Sequence, residues 1–161
     1  MKIGIIHSDG TIIDLLTLVV ENEGFEVKGL NLKDFEGVKD LVAPINDFLT
    51  TEDPSIVLFD SGNPVKYQEN INLFRKVKEN NPRNTERVFV PVILDCEEKK
   101  KIIETGEGQG IKFNYVCNAG NTEEIGGLIR TIEADVNKIV EDKEASSSPE
   151  CCCKRGKERE P

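Results

Sequence analysis

The chain has 161 residues, enough for one domain with a sizeable core and too few for two comfortable ones. Its net charge of −9, with no basic stripe ahead of the carboxy-terminal tail, argues against a nucleic-acid partner, because affinity for a phosphate backbone rests on Lys and Arg. The amino terminus, MKIGIIHSDG, is neither a signal h-region nor a membrane span, so the reading is a cytoplasmic protein.

Short apolar runs alternate with helical periodicity along the chain. Lys2–His7 reads as a first strand, and TIIDLLTLVVENEG as a helix, its Ile12, Ile13, Leu15, Leu16, Val19 and Val20 on one face and Gly24 as the stop. A second strand is expected over Glu26–Leu30. Helical character follows from Phe35 to Leu49, with Pro44 either breaking it or starting a second short helix. Ser55–Phe59 reads as a third strand, and YQENINLFRKVKENNP as a helix with Ile71, Phe74 and Val77 on its buried face. A fourth strand over Val88–Leu94 precedes a short charged helix, CEEKKKIIETGEGQG, ended by glycines. Lys112–Cys117 is the fifth strand. In the last helix, Asn121 and Glu124 have capping-box spacing ahead of a stripe of Ile125, Leu128, Ile129, Ile132, Val136, Ile139 and Val140.

Strands that are apolar on consecutive positions are expected to be covered on both faces. Five βα units in succession then imply a doubly wound, five-stranded parallel sheet flanked by helices, a flavodoxin-like three-layer sandwich. Ligand sites in such sheets lie beyond the carboxyl ends of the strands. Those ends supply His7, Ser8 and Asp9; Asp60 to Pro64; Asp95 and Cys96; and Asn118 to Asn121. Asp60 closes SIVLFDSGNP, an apolar run that ends on a carboxylate followed by a turn, and is either a strand-end functional group or a turn former.

With these residues in place, the chain resembles the receiver domains of two-component response regulators over roughly Lys2 to Val140. IGIIHSDGTIIDLLTLVVENEGFEV is similar to the first βαβ stretch of a receiver. SIVLFDSGNP is similar to the phosphoacceptor segment, VPVILDCEE to the fourth strand, and NYVCNAGNTEEI to the fifth strand and last helix. The resemblance implies Asp60 as phosphoacceptor and Mg²⁺ held by Asp9, Asp60 and the backbone of Gly62. It also implies a protein partner (a histidine kinase, a phosphotransfer protein or a downstream effector), signalling rather than enzymatic activity, and dimerisation as one mode of regulation. His7 and Ser8 stand where receivers carry an acidic pair, so Ser8 replaces one usual metal carboxylate, which counts against Mg²⁺. Cys96 replaces the fourth-strand hydroxyl, and Asn118 the fifth-strand lysine. A degenerate receiver is expected, either a slow phosphoacceptor in a phosphorelay or a pseudo-receiver that works without phosphorylation.

A small-molecule-binding flavodoxin-like protein is the weaker alternative, since no Gly-rich phosphate loop or nucleophile elbow is present. Cys96 and Cys117 read as buried free thiols, with a redox pair as the other reading. The segment KEASSSPECCCKRGKEREP lacks apolar periodicity, and residues 142–161, with Cys151, Cys152 and Cys153, are expected to be a disordered tail.

Overall fold

The computed structural model describes residues 1–142 and 150–151, with side chains through residue 137. The strands are β1 (Lys2–His7), β2 (Glu26–Asn31), β3 (Ile56–Asp60), β4 (Val88–Ile93), β5 (Tyr115–Asn118) and β6 (Glu150–Cys151). The helices are α1 (Gly10–Asn22), α2 (Val42–Glu52), α3 (Tyr67–Asn80), α4 (Lys99–Gly108) and α5 (Ile125–Asp142). All paired strands run parallel, in the order β2-β1-β3-β4-β5, with the two-residue β6 added beside β5. The rest of the expected tail lies outside the described residues.

Strand alternation divides the core between two faces. Ile3, Ile5, Ile56, Leu58, Val90, Val92 and Cys117 point to one side, where Leu16 and Val20 of α1 and Ile125, Ile129 and Ile132 of α5 cover them. Ile6, Val57, Phe59, Ile93 and Val116 point to the other, under α2, α3 and α4. This is the three-layer sandwich that consecutive apolar positions require.

Two local expectations are corrected. The chain from Phe35 to Leu41 is not a regular helix. After a 3₁₀ turn at Leu32–Phe35, Gly37 takes φ +90° and α2 begins only at Val42. Pro44 then sits in the first turn, where its missing N–H has no intrahelical acceptor to lose. Asn121 makes no side-chain cap; the chain enters α5 through a 3₁₀ turn at Thr122–Glu124 instead. At the opposite edge of the sheet, the end of α2 is fixed by Arg87. Its guanidinium donates to Leu49 O, Pro54 O, Asn84 Oδ1 and Asp53 Oδ1 at 2.7 to 3.1 Å, while its side chain is 3% exposed. Among the described residues no helix is long and apolar enough to cross a membrane.

Candidate functional site

The order β2-β1-β3 places the switch point of the sheet between β1 and β3, where a crevice opens beyond the strand ends. The two strands run in register from Ile3 opposite Ile56 to Ile6 opposite Phe59, which brings His7 and Ser8 beside Asp60. Asp60 is 7% exposed, and both carboxylate oxygens are engaged. Oδ2 accepts from Ser8 Oγ at 2.6 Å and Ser8 N at 3.2 Å. Oδ1 accepts from Gly62 N at 2.7 Å and faces His7 Nε2 at 3.5 Å.

The turn after Asp60 is built for this arrangement. Gly62 has φ +77°, and a Cβ there would lie 2.8 Å from Lys66 Cβ, so only glycine presents its N–H to Oδ1 without strain. Ser61 Oγ donates to Val92 O, and Asn70 Nδ2 donates to Asp60 O at 3.1 Å, tying the strand end to β4 and α3. The carboxylate of Asp60 therefore does two things at once: it ends β3 in an Asx-type turn and clasps β1.

His7 is buried, and burial lowers its pKa below the ordinary value of 6.5, against the opposing pull of Asp60 and Asp9. Its Nδ1 accepts from Asp9 N at 3.0 Å, which assigns the remaining proton to Nε2 and makes the neutral ring a weak donor toward Asp60. The His7–Asp60 contact is accordingly a dipolar contact rather than an ion pair near neutral pH. Asp9 turns to α1, where Oδ1 accepts from Thr11 N at 2.9 Å as the helix cap.

The far side of the crevice is assembled from β4 and β5. Asn118 is buried at the end of β5; its Nδ2 donates to Cys96 Sγ at 3.3 Å and its Oδ1 accepts from Gly120 N at 2.8 Å. Cys96 is exposed, while Cys117 is buried and free. The expectation of a buried thiol holds for Cys117 and fails for Cys96, and the two are not bonded to each other. Among the described residues, no group of three or more His, Cys, Asp and Glu side chains is placed to hold a metal ion. Two exposed apolar side chains stand on the loops that frame the site: Val65, 89% exposed after β3, and Leu94, 57% exposed after β4.

The expected cluster is thus divided. His7, Ser8, Asp60 and Gly62 meet, Asn118 pairs with Cys96, and Asp9 serves α1. Sequence reasoning missed Asn70, ten residues beyond Asp60, because nothing in a helix sequence marks a side chain that reaches back to a strand end.

No protein-family model matches this chain, and no curated protein does. Among solved structures, the chemotaxis response regulator CheY4 of Vibrio cholerae matches with a TM-score of 0.54 at 14% identity, covering 83% of this chain and 96% of that one. A crystal of the same protein grown at low pH gives 0.55 at 13% identity over the same shares. The fold is the receiver fold. At this identity the likeness is one of fold alone. A flavone reductase covers 93% of this chain and 66% of its own at 15% identity, but its TM-score of 0.46 carries no weight. Within the receiver fold, Asp60 occupies the carboxyl end of the central strand β3, while Ser8, Cys96 and Asn118 fill the neighbouring strand ends.

Proposed function

We propose that this chain is a receiver-fold interaction module that signals through protein contacts, with Asp60 acting as the tie of the site rather than as a phosphoryl acceptor. The observation that carries this reading is that both oxygens of the Asp60 carboxylate are engaged, Oδ2 by Ser8 Oγ and Ser8 N and Oδ1 by Gly62 N. Attack on phosphorus requires an oxygen lone pair free to approach in line, and Oδ2 would first have to release two donors from Ser8. Phosphoryl transfer is otherwise a matter of positioning and cationic neutralisation of the transferring oxygens. Near neutral pH, His7 is uncharged and Asn118 contributes only an amide already turned to Cys96 and Gly120.

The same reading takes the residues as a poor fit to Mg²⁺. The ion favours near-octahedral oxygen ligation with one or two carboxylates directed at it. Asp9 is committed to capping α1, and Asp60 is held by donors on both oxygens.

The exposed Val65 and Leu94, on adjacent loops at the carboxyl edge, are the contacts we assign to a protein partner, which would be a histidine kinase, a phosphotransfer protein or a downstream effector. A second reading, that Asp60 accepts a phosphoryl group slowly, is favoured by its place at the switch point of the sheet. Beryllofluoride with Mg²⁺, a mimic of an acyl phosphate, distinguishes the two. On the leading reading, the backbone amide NMR signals of Ser8, Gly62 and Asn118 stay where they are. Saturable shifts of those signals, absent in Asp60→Asn, would establish the second.

A further inference from the structure

A cavity of about 470 Å³ opens at the amino edge of the sheet, opposite the Asp60 crevice, between the second half of α3 and the segment that leads from α4 into β5. That volume lies within the range of small-molecule sites. Four phenylalanines stand in its otherwise mixed wall. Phe59 stacks on Phe74 with ring centroids 4.3 Å apart, Phe113 stands 6.0 Å from Phe59, and Phe89 stands 6.3 Å from Phe74.

Two features are not accounted for by folding. Asn114 lines this cavity, and its Oδ1 is buried with no hydrogen-bond partner, an arrangement that costs stability unless something donates to it. Lys78 and Lys112, both exposed, also line it, in a chain whose net charge is −9. The other cations nearby are committed: Arg75 pairs with Glu79 at 3.1 Å, and Arg87 holds the end of α2.

From these features we infer that the cavity is a binding site for a small flat aromatic acid carrying one N–H or O–H donor. Its rings would lie among the phenylalanines, its anionic group would meet Lys78 and Lys112, and its donor would satisfy Asn114 Oδ1. Position sets this site apart from the phosphoacceptor question, since it is built on the amino ends of β4 and β5 and uses none of the side chains that bond Asp60, although Phe59 of its wall precedes Asp60 on β3.

Indole-3-propionate is the probe, with its N-methylated analogue as the ligand that lacks the donor and decanoate as a straight-chain acid. Calorimetric titration of the full chain is expected to show saturable one-to-one binding of indole-3-propionate. The N-methyl analogue should bind about tenfold more weakly or worse, as expected when a buried acceptor is left unpaired. The double variant Lys78→Glu, Lys112→Glu, confined to exposed positions, should keep its melting temperature and lose affinity at least tenfold. Asn114→Leu should bind the two indoles alike, and without ligand should melt no lower than the native chain, because it removes an orphaned acceptor. Several results would overturn the inference. These are no saturable binding, binding indifferent to the lysine reversal or to N-methylation, tighter binding of decanoate, or NMR shifts confined to the carboxyl edge.

Discussion

Replacing Asp60 by alanine separates a structural tie from a strained functional carboxylate. The native side chain is 10% exposed and receives three hydrogen bonds of normal length, from Ser8 Oγ, Ser8 N and Gly62 N; the 3.5 Å contact with His7 is too long to count. Hydrogen bonds to a charged group contribute about 1.5–3 kcal/mol each, so three set an upper bound of about 5–9 kcal/mol. Against this, the variant no longer bears the several kcal/mol of desolvating a carboxylate, and water entering the crevice re-pairs part of what is left. A net loss of about 2–4 kcal/mol follows, or a fall in Tm of roughly 5–12 °C for a chain of this size. Asparagine keeps one acceptor oxygen but turns its NH₂ toward a donor, and should lose about half as much. Urea unfolding of the native chain, Asp60→Asn and Asp60→Ala should therefore rank in that order of decreasing stability. Where a carboxylate is held in place for chemistry amid like charges, its removal relieves repulsion. A native-like or raised Tm for Asp60→Ala would refute the tie.

Three further outcomes are expected. Arg87→Leu leaves Leu49 O, Pro54 O and Asn84 Oδ1 without their donor, and should cost at least about 3 kcal/mol in urea unfolding, because buried unpaired groups cost about 1–3 kcal/mol each; a loss under about 1 kcal/mol would contradict its place as the anchor of α2. The folded-state pKa of His7 lies below its ordinary 6.5, so its stabilising contribution is complete above that pH and is lost as pH falls through the folded value. Stability measured from about pH 7 to about pH 5 should fall more steeply for the native chain than for His7→Gln, and parallel profiles would exclude His7 as the source. Val65→Asp and Leu94→Asp, at exposed positions, should leave Tm within about 1 °C while abolishing capture of whatever partner the native chain retains; undiminished capture would move the interface elsewhere.

Most of the fold was legible because buried parallel strands leave a plain trace: runs such as IVLF at Ile56–Phe59 are apolar at every position. The boundaries that failed are those set by tertiary context. Phe35 to Leu41 carries helix-compatible residues, but the 3₁₀ turn and Gly37 redirect the chain before α2 starts. Asn121 has the spacing of a cap without making one, since a 3₁₀ turn intervenes. In the site, strand-end position was enough to bring His7, Ser8 and Asp60 together, because parallel register is set by the strands themselves. What sequence could not assign is how each side chain spends its hydrogen bonds. Asp9 turns to Thr11, Asn118 to Cys96, and Asn70 reaches back to Asp60, and each choice depends on geometry that residue type leaves open. The amino-edge cavity left no pattern at all, for its phenylalanines come from three strand-proximal segments and a helix that read simply as core.

The most direct test of the account is the intact mass of the native chain after incubation with acetyl phosphate and Mg²⁺, with Asp60→Asn treated in parallel. The account predicts no phosphoryl adduct on either protein. A stoichiometric adduct on the native chain that is missing from Asp60→Asn would contradict it and make Asp60 an acceptor.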